Sequence, residues 1–154
     1  MQRIVREQRL GYAATVCPDG TPNLSPKGTL TVWDEDHLVF ADIRSPGTVS
    51  NLRRNPAIEI NVVDPFLRKG YRFKGTAAVL DEGPLFEKIL DSYRQEGLEV
   101  DWADRRRVQS VVLIKVASAA PLISPAYDSG MTEEQVRGKW EEYWRSRLAD
   151  RGAP

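Results

Sequence analysis

The stretch Leu38-Val39-Phe40-Ala41-Asp42-Ile43-Arg44-Ser45-Pro46-Gly47-Thr48-Val49-Ser50-Asn51-Leu52-Arg53-Arg54-Asn55-Pro56 constrains this chain most. Its apolar opening, Leu38 to Ile43, reads as a strand. Ser45 is placed to cap a helix, because its hydroxyl can accept a hydrogen bond from a free N–H of the first turn. Pro46 follows at the first helical position, where its missing N–H costs nothing. Val49 and Leu52 give the helix a buried side. Asn55-Pro56 closes it, since the residue before a proline is pushed out of the helical region. A helix of about two turns is marginal alone, so strand and helix must pack together. The helix N-terminus presents unpaired N–H groups and a partial positive charge that suit an anion such as phosphate. Ser45, Thr48 and Asn51 add side-chain donors. A packed connector between two strands fits the same local pattern.

The connections on either side decide the kind of sheet. Tyr12 to Cys17 is a small-residue strand, Pro18-Asp19-Gly20 a turn with glycine at positive φ, and Pro22 to Ser25 resumes an extended path. Ser25-Pro26-Lys27-Gly28 interrupts the pattern, as a kink or bulge where something approaches the backbone. Thr29 to Trp33 is a strand, and Asp34-Glu35-Asp36 is an acidic hairpin tip before the strand from Leu38. Connections this short exclude a parallel sheet, whose crossovers need a dozen residues or more.

Ala57 to Val63, Tyr71 to Leu80 and Gln109 to Val116 are further strands, with Gly75 marking a bend or bulge of the kind a barrel needs. Met1 to Leu10 reads as a short amphipathic helix ended by Gly11. A second helix opens at Asp81-Glu82-Gly83-Pro84 and runs to about Glu96, where Gly97 stops it; Leu85, Phe86, Ile89, Leu90 and Tyr93 form its apolar face. Leu98 to Arg107 is polar, with Trp102 as an anchor and Arg105-Arg106-Arg107 as a solvated face. Ala117 to Gly130 reads as a tail. Thr132 and Gln135 make a capping box for the last helix, whose Val136, Trp140, Tyr143 or Trp144, and Leu148 form an apolar stripe for the chain's own core, a partner subunit or a cofactor ring.

Together these elements give a mainly β (α+β) fold, a six- to seven-stranded antiparallel split β-barrel with short peripheral helices and a C-terminal helix. It forms a single domain over 1–154, with a core at about 10–122 and a C-terminal tail and helix at 123–154.

Lys plus Arg equals Asp plus Glu, at 22 each. That balance removes any electrostatic pull towards nucleic acid or an anionic membrane. No apolar run is long enough to span a bilayer. Met1 to Leu10 lacks the apolar core of a signal peptide, and the lone Cys17 has no internal disulfide partner, so a cytoplasmic setting is expected. The single His37, beside Asp36, excludes most sites built on several His ligands. It reads as a partly exposed strand-end residue. No metal site and no catalytic side chain stand out, so redox or group-transfer chemistry would be carried by a bound cofactor.

Four stretches then fall in a telling order: the hairpin ending Pro22-Asn23-Leu24-Ser25-Pro26-Lys27-Gly28, the strand Leu38 to Asp42, the turn and helix Ser45 to Pro56, and the strand ending Arg72-Phe73-Lys74-Gly75-Thr76-Ala77. Over roughly Leu10 to Leu122 this order resembles the pyridoxamine 5′-phosphate oxidase-like, FMN-binding split-barrel superfamily. Asn51-Leu52-Arg53-Arg54-Asn55-Pro56 is the most family-like string. The resemblance implies a homodimer with two FMN sites at the subunit interface. The flavin phosphate would sit near Ser45, Thr48 and Asn51. The isoalloxazine ring would lie against Ser25, Pro26, Lys27 and Gly28 and the strand end at Ala41 and Asp42, with Lys27 favouring the anionic reduced flavin.

Family members often carry a basic residue just before the position of Thr48, for charge-assisted phosphate binding. Gly47 stands there in this chain. The charge would come from Arg44, from Lys27, or from Arg72 and Lys74 of the other subunit, or else the ligand differs. Trp140 and Trp144 would pack across the dimer and partly roof the flavin. No pyridoxamine-phosphate oxidase C-terminal signature is recognisable, so that specific activity is not implied. The implied function is a flavin-dependent oxidoreductase acting on a small molecule, fed by NAD(P)H or another small donor. The alternatives are a non-catalytic flavin-binding protein, or a split barrel holding a deazaflavin, haem or a B6 vitamer.

Overall fold

In the computed structural model, which describes residues 1–95 and 108–151, seven strands form one sheet. They are β1 (Gly11–Val16), β2 (Pro22–Lys27), β3 (Thr31–Val32), β4 (His37–Asp42), β5 (Ala57–Asp64), β6 (Lys69–Leu80) and β7 (Ser110–Ile123). Their order is β2-β1-β5-β6-β7-β4-β3, and every neighbouring pair is antiparallel. The helices are α1 (Gln2–Gln8), α2 (Pro46–Arg54), α3 (Pro84–Gln95) and α4 (Glu133–Arg151). The expectations for Glu96, Gly97, Trp102 and Arg105-Arg106-Arg107 lie outside the described residues.

Gly28, Thr29 and Leu30 alone separate β2 from β3, although these strands end the sheet order on opposite sides. A connection so short reaches at most about 14 Å. The two sheet edges are drawn together there, and the sheet curls into a split barrel. The curl is helped by a bulge: Lys74 faces Ser118 but Gly75 faces Val116, leaving Ala117 extra on β7. Glycine is required at this point, since a Cβ on residue 75 would stand 2.2 Å from the Lys115 carbonyl oxygen.

Two apolar layers result. Inside the curl, Ala13, Phe40, Ile60, Val62, Phe73, Val112 and Ile114 pack with Val5 of α1 and with Val49 and Leu52 of α2. Outside it, Val39, Ala41 and Val111 are covered by Phe86, Ile89, Leu90 and Tyr93 of α3. β4 is therefore buried on both faces, which explains its unbroken apolar run. Leu85 is not part of the buried face of α3; it is exposed. The outer faces of β1, β2 and β5 leave Tyr12, Val16, Leu24 and Val63 exposed.

Several local expectations change. β2 does not kink at Ser25-Pro26-Lys27, because its register against β1 runs unbroken from Val16–Pro22 to Gly11–Lys27. Its prolines are tolerated because β2 is an edge strand with one unpaired side. β3 shrinks to two residues, since Thr29 turns its hydroxyl to β4 instead of pairing its backbone. That hydroxyl accepts from the Ala41 N–H and donates to the Ala41 carbonyl, both at 2.9 Å. α1 ends at Arg9, which adopts a left-handed backbone with φ 49°, and Gly11 already belongs to β1. The segment after Val116 is no tail. Ala117 to Ile123 continues β7 against β6, and its small exposed residues carry no apolar alternation by which to read a strand.

The capping box forms as expected: Thr132 N–H donates to Gln135 Oε1 (2.9 Å), and Gln135 N–H to Thr132 Oγ1 (3.3 Å). Along α4, Val136 is buried, Trp140 half-buried, and Tyr143, Trp144 and Leu148 are exposed. Among the described residues, no helix is long and apolar enough to cross a membrane.

Candidate functional site

Strand alternation turns the side chain of Lys27, the last residue of β2, into the barrel. It is 3% exposed, with its ammonium 5.4 Å from the Phe40 ring centroid. Nζ lies 2.7 Å from Ser25 Oγ, 2.8 Å from Ser45 Oγ and 3.4 Å from Thr48 Oγ1. Burial pushes its pKa below the ordinary lysine value, and the charge of nearby Asp42 opposes that shift. Among the described residues Lys27 makes no ion pair. A buried ammonium whose direct hydrogen-bond partners are all neutral hydroxyls keeps much of its desolvation cost, which an anion at hydrogen-bond distance would offset.

The start of α2 faces the same point. Ser45 is the N-cap residue, as its sequence position indicates, but its hydroxyl makes no capping bond. It accepts from Lys27 instead, because a charged donor outcompetes a helix amide. Asp42 Oδ1 accepts the Ser45 N–H at 2.7 Å and so fixes the turn. The Val49 N–H reaches the Ser45 carbonyl at 3.2 Å. The N–H groups of Gly47 and Thr48 precede it, in the part of a helix that has no intrahelical acceptors. Gly47 borders open space, since a Cβ there would meet nothing within 4 Å. A buried cation, two helix amides with no acceptor among the described residues, and room beside them fit a phosphate-bearing group.

A polar strip runs inward from this corner. Asn23 Nδ2 donates to Thr15 Oγ1 (3.1 Å) and approaches Thr48 Oγ1 at 3.4 Å; Asn51 Nδ2 donates to the same Thr15 oxygen (3.1 Å) and points to Cys17 Sγ (3.6 Å). The Asn51 amide thus serves the barrel wall. Thr15 also borders an open hollow of about 490 Å³, with Val16, Ala57, Ile58, Glu59 and Lys74. The hollow opens just past Ala14–Glu59, where the pairing of β1 with β5 ends.

The structure brings Ser25, Lys27, Asp42, Ser45 and Thr48 into one cluster. Pro26 and Gly28 flank Lys27 on the exposed side. The backbone N–H of Ala41 is already taken by Thr29. Arg44 is exposed and makes no ion pair among the described residues. Arg72 and Lys74 stand on the outer face of β6, 3.2 Å and 3.6 Å from the carboxylate of Glu59. Trp140 packs under Arg68, and Trp144 makes an edge contact with Tyr143. His37 Nδ1 lies 2.8 Å from Asp34 Oδ1 within the β3–β4 hairpin. Among the described residues, no three of His, Cys, Asp and Glu gather to hold a metal.

Sequence reasoning missed Thr15, Asn23 and Thr29. Thr15 was findable: it is in phase with Gly11 and Ala13, so the inward face of β1 carries one hydroxyl among small residues. Nothing local marked Asn23 or Thr29, whose partners are 8 to 25 and 12 residues away.

Known proteins supply the wider frame. The family model described as pyridoxamine 5′-phosphate oxidase matches residues 1–120. No curated protein matches the sequence. Among solved structures, HupZ of Group A Streptococcus is 29% identical with a TM-score of 0.69, covering 80% of this chain and 92% of its own. An FMN-binding protein from Syntrophomonas wolfei is 16% identical with a TM-score of 0.63, covering 78% and 82%. HutZ, the haem storage protein from Vibrio cholerae, is 18% identical with a TM-score of 0.60, covering 79% and 89%. The latter two share the fold.

Proposed function

Since the chain belongs to the pyridoxamine 5′-phosphate oxidase family, we propose that it is an FMN-binding flavoprotein, acting as an oxidoreductase on a small molecule. The observation that carries this reading is the buried Lys27 ammonium, which makes no direct ion pair among the described residues, with Asp42 as a nearby but unbonded charge, and sits at the open N-terminus of α2. Lys27 and the N–H groups of Gly47 and Thr48 hold the phosphate. Lys27 thereby supplies the cation that Gly47 lacks, at the phosphate and not beside the ring. Ser25 and Ser45 hold the ammonium in place, and Asp42 keeps the turn closed. FMN, when bound, supplies hydride and electron transfer. No side chain of the chain is assigned a catalytic proton transfer.

The functional unit in this reading is a homodimer. The exposed apolar side chains Tyr12, Val16 and Leu24 on the uncovered face of β1 and β2 support it. Arg72, Lys74, Trp140 and Trp144 are the residues a second copy would bring towards the ring.

The test is a visible spectrum of the purified protein, followed by titration of the stripped protein with FMN and riboflavin. A yellow protein that binds FMN at least about tenfold more tightly than riboflavin supports the reading. A protein that takes up neither flavin overturns it, and native mass spectrometry then identifies any haem, deazaflavin or B6 vitamer held instead. Stopped-flow reduction by NADH or NADPH separates the oxidoreductase from a flavin carrier.

A further inference from the structure

The β5–β6 turn carries a second unpaired cation. Arg68 takes a left-handed backbone there, φ 53°. Its N–H donates to the Asp64 carbonyl (2.8 Å), and its own carbonyl accepts from the Ser124 N–H (3.1 Å). The guanidinium carbon lies 3.5 Å from the Trp140 ring centroid, a stacked arrangement across to α4. Stacking uses the face of the guanidinium and leaves its donors in the plane, free for hydrogen bonds.

Those donors have no protein partner among the described residues. Nε is buried and makes no hydrogen bond, and Arg68 makes no ion pair among the described residues. The carboxylate in the same turn is committed elsewhere: Asp64 Oδ1 accepts from the Phe66 N–H (2.7 Å) and the Leu67 N–H (2.8 Å). The neighbouring cation is committed too, with Lys69 Nζ 2.7 Å from Glu133 Oε1 and 4.1 Å from the Tyr127 ring centroid. Next to Arg68 lies a hollow of about 340 Å³, walled by Val63, Leu122, Ile123, Ser124 and Trp140. The hollow is open to solvent, with Val63 and Ile123 exposed on its walls.

We propose that this hollow binds a small amphipathic carboxylate. The carboxylate lies end-on to Arg68, pairing its two terminal nitrogens, which make no hydrogen bond or ion pair among the described residues, in the two-pronged geometry that a guanidinium offers and an ammonium does not. The hydrocarbon portion lies against Val63, Leu122 and Ile123. A single planar fork among apolar walls suits a monoanion with a tail better than a phosphate, which needs more donors than this site provides. The site uses none of the residues assigned to the flavin phosphate; it shares only Trp140 with the residues a second copy would bring towards the ring.

The probe is hexanoate, titrated into the full-length protein by calorimetry, with 1-hexanol and hexylamine as controls. The arginine Nε–Hε signals are followed in ¹H–¹⁵N spectra, with Arg68 identified by its disappearance in Arg68→Lys. Saturable hexanoate binding with a Kd of about 1 mM or tighter is expected, with a shift of the Arg68 signal. The alcohol, and the Arg68→Lys variant, are each expected to bind at least about tenfold more weakly. Absence of saturation, an unmoved Arg68 signal, or equal binding of hexanol overturns the proposal, and all three are read on the unaltered protein. Hexanoate failing to bind while Arg68→Lys dissociates an oligomer also overturns it, by assigning the fork to a carboxylate of a second copy.

Discussion

Replacing Lys27 by methionine separates its electrostatic role from its packing role. Methionine keeps the length of the stem and its contact with Phe40 but removes the ammonium. With Lys27 only 3% exposed, solvent does little to weaken a contact between its charge and a phosphate. Hydrogen bonds to charged groups contribute about 1.5–3 kcal/mol, so FMN affinity should fall about 10- to 150-fold. Riboflavin, which has no phosphate, should bind both proteins alike. The stability of the flavin-free protein should change little. Two close hydroxyl contacts, at 2.7 and 2.8 Å, are lost along with the desolvation cost of an unpaired charge. Relief of the ammonium's desolvation is set against the nearby positive charge that buried Asp42 loses, so stability should change by no more than about 2 kcal/mol in either direction. Fluorescence titration with each flavin and urea unfolding of the flavin-free proteins measure both effects. Equal losses for FMN and riboflavin, or a destabilisation above about 3 kcal/mol, would refute the reasoning and make Lys27 a structural residue.

The depressed pKa of Lys27 gives a pH dependence. FMN affinity should decline with rising pH as Lys27 loses its proton, starting below the ordinary lysine value of 10.5, and the decline should vanish in Lys27→Met. In the flavin-free protein the unfolded chain holds this proton more tightly. Unfolding free energy relative to Lys27→Met should therefore rise with pH between the lowered value and 10.5, which pH-dependent urea titrations check. Gly47→Lys should strengthen FMN binding about three- to tenfold, because the site is open and a second cation would face the phosphate. The helix dipole partly offsets that gain, and unchanged affinity in a flavin titration would place the phosphate elsewhere. Gly75→Val should destabilise the barrel by about 2–4 kcal/mol in urea, since its Cβ would overlap the Lys115 carbonyl oxygen at the bulge.

The antiparallel barrel was legible because its signals are local. Pro18-Asp19-Gly20 makes a tight turn with Gly20 at φ 84°; Ser45-Pro46 begins a helix and Asn55-Pro56 ends it; Gly75 marks the bulge. Each depends on backbone preferences of one to four residues, which the amino-acid types carry with them. The exposed end of β7 was not legible, because Ala117, Ser118 and Ala119 are held by pairing with β6 and not by their own propensity. For the site, residue types and spacing singled out Ser45 and Thr48 at a helix start suited to an anion, and the family resemblance added Lys27; the structure brings the three together.

Sequence alone determined which residues were candidates, since turn chemistry and helix capping are short-range. Tertiary structure decided what each does. Lys27 and Ser45 are 18 residues apart, and only closure of the sheet between β2 and β3 brings ammonium to hydroxyl at 2.8 Å. That closure turns a helix cap into an acceptor for a buried cation, and places Lys27, expected either beside the ring or as the phosphate's cation, at the start of α2. The physical reason is range: a turn is set by neighbours in the chain, whereas a buried charge is set by whichever groups the folded barrel places around it.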